Sequence, residues 1–437
     1  MHPNKAKACL NAATAEAVAA RGGHAGSSAD FTRKRKLPPE TMIKLLLSMD
    51  GGSLNKELYE AGISVTPSSF VGRRHQLSWF DFENVLNNFN SHCDGEDTKT
   101  YKGYRILAVD GTTVNMPLDP KSPCYMENKA DKSKSYCAMH ATPIFDVLNK
   151  TYLHCVVQPQ PEQDEIGALL FMLSWHDFPK KTLIVADRGF ESQNLIAHFI
   201  EDSNFRFLIR VKQNKSAMRE IQKLPMTELD TRISYYITTT QKNIDKENNY
   251  VFIQTHKNKG RRSYSPKTKA SRWDFGSPYH MQYRAVRFML PSGEFETLVT
   301  NLPDSFTLED MKELYAARWG IEQIFRSTKY DNNLVLLHGK NAEFCRQEIF
   351  AALIMSNFCS RIINEVIIQK KDTKYLYAVN RKMAIHLCKK FFRTEGADGE
   401  QLLQDIAKYV EPVRPGRADE RKLKAKSFVP FVYRVSA

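Results

Sequence analysis

Two short apolar runs, each closed by an aspartate, set the tightest limit on what this chain can fold into. They are Ile106-Leu107-Ala108-Val109-Asp110-Gly111 and Leu183-Ile184-Val185-Ala186-Asp187-Arg188-Gly189. An unbroken apolar run of this length, without the polar alternation of a half-exposed strand, suits a strand covered on both faces. Such a sheet needs helices to cover it. Residues 166–175 and 192–200 read as those helices, residues 205–211 as a further strand, and residues 142–147 and 152–157 as strands joined by Leu148-Asn149-Lys150. The expected fold class is α/β, a mixed sheet flanked by helices.

On either side the hydrophobic period changes. Leu45, Leu46 and Met49 share one predicted helix, and Leu54 and Leu58 a second. Gly62 interrupts, and Thr66-Pro67 opens a third helix with Thr as N-cap and Pro at the first helical position. That helix carries Arg73, Arg74 and His75, which fits a helix-turn-helix-like DNA reader or an ordinary bundle with a solvated basic face. Residues 213–300 read as a β-rich insertion, with strands at 233–239, 250–255, 283–290 and 295–300 and a turn at Pro291-Ser292-Gly293. Helix returns at Thr307, which with Asp310 forms a loose capping box, and continues to about Val410. The expected organisation is a flexible leader (1–30), a helical DNA-binding domain (31–100), a catalytic core in two parts (101–212 and 301–345) around the insertion (213–300), and a helical C-terminal region with a basic tail (346–437).

Charge distribution points to the partner. The chain holds 63 Lys and Arg against 49 Asp and Glu, a net +14. Arg33–Lys36 carries +4, Lys257–Trp273 carries +7 and Val413–Ala437 carries +5, so the remainder nets −2. A near-neutral body with three basic segments, and Tyr264, Trp273 and Tyr433 beside them, fits a nucleic-acid partner. The most apolar stretch, Ile349–Ile368, is broken by Ser356, Asn357, Arg361, Asn364 and Glu365, so a buried helix is expected there and no membrane partner. The Ala-rich, polar first thirty residues lack a signal pattern, and eight cysteines without paired spacing fit reduced thiols, so a cytoplasmic location is expected.

Asp110 and Asp187, each at a strand end, could serve a metal ion or simply close a turn. Downstream, Tyr315, Arg318, Glu322 and Lys329 fall within an arc of roughly 60° on one helix face. A salt-bridged surface helix would also explain that column. Cys137, His140, His154 and Cys155 make a poor zinc site, because adjacent strand residues point to opposite faces. No phosphate-binding loop, dinucleotide fingerprint or nucleophile elbow is present, so no nucleotide cofactor is expected.

Tyr315-x2-Arg318-x3-Glu322-x6-Lys329 resembles the Y-R-E-K signature of bacterial insertion-sequence transposases of the IS-four family. The blocks Val109-Asp110-Gly111-Thr112-Thr113 and Ala186-Asp187-Arg188-Gly189-Phe190 resemble that family too, as do Phe31–Leu37 and Arg414–Arg417. The resemblance covers roughly residues 31–437 and implies an RNase H-like core with Asp110, Asp187 and Glu322 as a DDE triad holding two Mg²⁺ or Mn²⁺ ions. It implies that Tyr315, Arg318 and Lys329 hold phosphates of double-stranded DNA, at the transposon ends and the target, in a homodimer when the ends are paired. Arg210, Lys212, Lys215, Arg261, Arg262, Arg73 and Arg74 are further candidate DNA contacts. The family's base-stacking Trp is missing from residues 295–300; Phe295 or Trp273 could replace it, and Trp319 is expected to pack. The implied function is cut-and-paste transposition by a nucleoid-associated enzyme. A metal-dependent nuclease or resolvase on the same core, or a catalytically idle DNA-binding protein, are the alternatives.

Overall fold

The computed structural model describes residues 1–23, 36–95, 98–213, 218–240, 249–253, 272–368 and 376–413. The chain forms two compact units, one of Met1–Thr98, Gly111–Asp164 and Gly320–Ala437, the other of Lys99–Asp110 and Glu165–Trp319. It therefore passes between them four times, and neither unit is a single stretch of sequence.

The first unit begins with helices α1 (Pro3–Ala19), α2 (Pro39–Ser48), α3 (Leu54–Glu60), α4 (Pro67–Arg74) and α5 (Trp79–Cys93). The expected leader is instead a helix over most of its length. Ala6, Leu10, Ala13 and Ala17 are buried at helical spacing, and Glu16 meets His92 of α5 at 2.9 Å. Strand β1 (Arg105–Val109) belongs to the second unit. The chain then returns to the first for β2 (Thr112–Met116), β3 (Tyr125–Met126), β4 (Tyr136–Asp146) and β5 (Thr151–Pro159). Buried β4 pairs antiparallel with β2, β3 and β5. Asp146 accepts the backbone N–H groups of Leu148 and Asn149, which makes the expected turn before β5.

The second unit takes over with α6 (Glu165–Trp175), β6 (Thr182–Ala186), α7 (Gln193–Glu201), β7 (Phe205–Val211), α8 (Arg219–Gln222), β8 (Leu229–Thr238), β9 (Tyr250–Phe252), β10 (Tyr279–Met289), β11 (Phe295–Thr300) and α9 (Leu308–Ala317). Its strands form one mixed sheet in the order β1-β6-β7-β11-β10-β8-β9. Every residue of β1 and β6 is buried, as their apolar runs require. The β-rich stretch is not lodged apart from the sheet. β11 pairs with the free edge of β7, Thr297 opposite Val211, and carries the sheet onward through β10 to β8 and β9. The turn between β10 and β11 has Gly293 at φ +83°, a conformation that favours glycine.

Back in the first unit come α10 (Trp319–Tyr330), whose first residue closes the second, then α11 (Ala342–Ile363), β12 (Leu376–Val379), α12 (Arg381–Arg393), α13 (Gly399–Lys408) and β13 (Val410–Val413). The helical pattern expected throughout is thus interrupted by the antiparallel pair β12–β13. Among the described residues no helix is long and apolar enough to cross a membrane. α11 is buried along nearly its whole length, and its polar Asn357 exchanges hydrogen bonds with the Tyr152 backbone and Asn90.

The basic helix α4 departs from its expected role. Thr66 caps it and Pro67 opens it, as its sequence dictates. Arg73 and Arg74, however, are 8% and 1% exposed and belong to the core of the unit rather than to a DNA-facing surface. Arg73 donates to the Leu37 carbonyl and to Gln76. Arg74 donates to Gln347, Glu348 and the Phe344 carbonyl, each at 2.8 Å, with its guanidinium 4.4 Å from the Phe344 ring centre. Glu348 also accepts the backbone N–H groups of His338 and Gly339.

Burial alone would raise the Glu348 carboxyl, but Arg74 and then His338 overrule it and hold it at about 2, against an ordinary 4.5. A depressed folded-state value stabilises the fold fully above pH 4.5 and loses that stabilisation as pH falls through about 2. Thermal melts of wild type are therefore expected to weaken over this acid range, and Glu348→Gln to flatten that limb. Arg74→Ala at neutral pH is expected to remove about 3 kcal/mol of unfolding free energy, because it leaves a buried carboxylate unpaired.

Candidate active site

The site begins with backbone register. Strands β1 and β6 run parallel with Val109 opposite Ala186, so Asp110 and Asp187 follow directly from paired residues, at the carboxyl ends of neighbouring strands. Such strands lie about 4.8 Å apart. This is the edge of an α/β sheet where ligands gather.

The carboxylates have different neighbours. Asp187 Oδ1 accepts the Gly189 backbone N–H at 2.8 Å and caps the turn Arg188–Phe190. A side chain at position 189 would crowd this carboxylate, since a Cβ there would stand 2.9 Å from Asp187 Oδ1. Asp110 lies 3.7 Å from an Arg318 terminal nitrogen, with its own side chain a quarter exposed.

Arg318 falls in the break between α9 and α10, where its N–H turns back to the Tyr315 carbonyl three residues earlier. The signature is thus not one straight helix. Tyr315 lies in the last turn of α9 and belongs with Arg318 to the second unit; Glu322 and Lys329 ride on α10 in the first. The capping box at Thr307 and Asp310 forms as expected, and Asp310 also binds Tyr101 and Lys102, which fixes the start of α9. Arg318 is 4% exposed, with its guanidinium 5.5 Å from the Tyr315 ring centre and 5.2 Å from that of Trp319. Burial raises the Tyr315 phenol, moderated by Arg318. Trp319 is 45% exposed rather than packed in the core.

Arg210, on β7, meets Glu296 of β11 at 3.1 Å. Glu296 is a buried residue that sequence reasoning passed over. Its one signal was a carboxylate inside a strand otherwise built from Phe295, Thr297, Leu298, Val299 and Thr300. Burial raises its carboxyl, and Arg210 and then Arg318 pull it back down. Lys212 follows β7 and gives its backbone N–H to Glu191. Trp273 sits edge-on to Phe275 and Tyr279 and donates to the Gly276 carbonyl. Arg261, Arg262, Lys215, Tyr264 and Tyr433 lie outside the described residues, as do most of the three basic segments.

In the first unit α10 is held from behind. Thr328 Oγ1 meets the Tyr152 hydroxyl at 3.0 Å, and Ser327 accepts from Arg381 at 2.7 Å. Lys329 is half-buried, and burial lowers its ammonium.

Asp110 and Asp187 offer oxygen donors, which suit a hard divalent cation. Among the described residues, no three His, Cys, Asp or Glu side chains stand together as a ligand set. Asp110 and Asp187 thus stand at neighbouring strand ends with the Arg318 guanidinium beside Asp110. The model of the transposase DDE domain family matches residues 101–358, more than half of the chain. The chain belongs to that family and is a DDE-type DNA transposase. No curated protein matches it. Among solved structures, the cryo-EM piggyBac transposase synaptic complex with hairpin DNA is 13% identical, at a TM-score of 0.44, over 93% of this chain and 83% of that one.

Position 189 offers a direct check. Gly189→Ala is expected to destabilise the protein by about 1 kcal/mol in thermal or denaturant unfolding, because the added methyl meets the Asp187 carboxylate. Gly72→Ala, on α4 with nothing within 4 Å of the added atom, is expected to be neutral or stabilising by about 0.5 kcal/mol.

Proposed function

We propose that this transposase serves a bacterial insertion sequence of the IS-four type, binds its terminal inverted repeats, cuts at both ends and joins the freed 3′-OH ends to target DNA. The observation that carries this reading is the β1–β6 register, which gives a transposase-family chain two aspartates side by side at the ends of parallel strands. Asp110 and Asp187, with Glu322 as the third carboxylate, would hold two Mg²⁺ or Mn²⁺ ions on an RNase H-like core. When bound, those ions would supply Lewis-acid activation and neutralise charge at the scissile phosphate.

The chain's own residues position the DNA. Arg318 and Arg210 carry planar guanidiniums suited to phosphate oxygens, and Lys329 adds an ammonium as a point charge. The Tyr315 hydroxyl supplies a hydrogen-bonding group beside them. In the first step water adds to phosphorus and a 3′-OH leaves. In the second, that 3′-OH attacks a target phosphodiester, and a target 3′ oxygen departs with the proton. One phosphodiester replaces another, so joining needs no ATP.

The basic segments outside the described residues would bind DNA away from the cut, and two copies would pair the ends, each cutting the end held by the other. Arg73 and Arg74 have no part in this, because the fold already uses them. A cytoplasmic, nucleoid-associated location follows from the DNA substrate.

The test is incubation of the purified protein with linear DNA carrying its gene's flanks, with Mg²⁺ or with EDTA, and products mapped on sequencing gels. Metal-dependent cuts at both flanks are expected in wild type, falling by about 10³-fold or more in Asp110→Ala and Glu322→Gln while DNA binding persists. Scattered cuts without joined products would indicate a nuclease or resolvase. Specific binding without cuts in any divalent metal would indicate an idle DNA-binding protein. A hairpin or an open 3′-OH at the cut end tells whether a flipped-base step operates without the family's Trp.

A further inference from the structure

Glu296 poses a physical problem for a protein that binds DNA. It is a carboxylate, 6% exposed, on a central strand of the sheet, among the groups assigned above to phosphate. In the β7–β11 register Leu298 lies opposite Arg210, which places Glu296 diagonally from Arg210 on the same face of the sheet. The Arg210 Nε–Glu296 Oε2 distance is 3.1 Å. Arg318 is close enough to influence the Glu296 carboxyl, while Glu296 and Arg210 both influence the Tyr315 phenol. Glu296 therefore has Arg210 as its ion-pair partner. A negative charge there repels the phosphate that Arg210 would bind, and burying it costs free energy unless it is paired.

We propose that Glu296 is a positioning residue of the transposase site, an internal counter-charge that fixes the guanidinium of Arg210 in a phosphate-binding arrangement before DNA arrives. The inference rests on the reading of Arg210 as a phosphate contact.

An unpartnered guanidinium at a strand end samples many rotamers and loses that freedom when it meets DNA. One held at 3.1 Å by a buried carboxylate has its position set in advance, while its outer nitrogens keep donors for a second anion. The carboxylate thus weakens attraction for DNA and sharpens its placement. A residue that only supports the fold makes no such trade. Replacing it lowers stability, affinity and rate together.

That difference in sign is the test. In Glu296→Gln the side chain keeps its size and loses its charge. Affinity for the transposon-end duplex, measured in EDTA by fluorescence anisotropy at two salt concentrations, is expected to tighten by about threefold. Single-turnover cleavage at saturating DNA is expected to fall by roughly 10- to 100-fold. The melting temperature is expected to stay near wild type.

A second arm needs no cleavage. The affinity change caused by Glu296→Gln is expected to shrink when Arg210→Gln is already present, because Glu296 acts through it. Joint loss of affinity, rate and thermal stability in Glu296→Gln would assign it a purely structural role and overturn the proposal. So would a cleavage rate within twofold of wild type, or an affinity change of the same size in the Arg210→Gln background. If wild type binds DNA and cuts nothing, the reading of the enzyme fails, and the binding arm still decides the role of Glu296.

Discussion

The parallel pairing of β1 with β6 governs everything at the candidate site. A slip of one residue would move Asp110 away from Asp187 and turn every side chain of the displaced strand to the other face of a sheet buried on both sides. Apolar burial therefore protects the placement of two polar residues that contribute little to it. Neighbouring carboxylates also repel each other, and the fold answers each separately. Asp187 takes a backbone N–H from Gly189, and Asp110 has Arg318 at 3.7 Å.

Burial does not separate the arginine of the core from the arginine at the candidate site. Arg74 is 1% exposed and Arg318 is 4% exposed. The difference lies in what they face. Arg74 is ringed by groups that stay put: an amide, a carboxylate and a carbonyl at 2.8 Å each, with an aromatic ring beneath. Arg318 stands at a helix break, between two aromatic rings and beside a strand-end carboxylate at a distance longer than a hydrogen bond. The first arrangement is built from short hydrogen bonds throughout. The second places a guanidinium beside Asp110, at the end of a strand.

The sheet was legible in the sequence wherever burial on both faces made the signal one-dimensional. β1, β6, β7 and β11 stand where their apolar runs end, and Thr66, Ser192 and Thr307 cap the helices they precede. The misses have physical causes. The α1 stripe of Ala6, Leu10, Ala13 and Ala17 is apolar at helical spacing but built mainly of alanine, so it resembles a leader in composition. Arg73 and Arg74 read as a basic face because sequence does not reveal that Glu348, some 270 residues away, is waiting to receive one of them. The signature residues were found by their spacing, yet a straight 100° wheel cannot register the break at Arg318. Trp319 looked like packing for the same reason.

The β-rich stretch is where sequence order and spatial order diverge most. Read along the chain, residues 213–300 interrupt the core; in the sheet, β11 is the direct neighbour of β7. That pairing sets Glu296 against Arg210 and continues the sheet that holds Asp110 and Asp187. A detached domain would have left Arg210 on an open sheet edge, its guanidinium solvated and its position set only by rotamer preference. With β11 in place the arginine gains a fixed carboxylate partner through a diagonal contact that backbone pairing enforces. The segment that looks most like an addition to the fold is therefore the one that orders Arg210, on the strand beside β6.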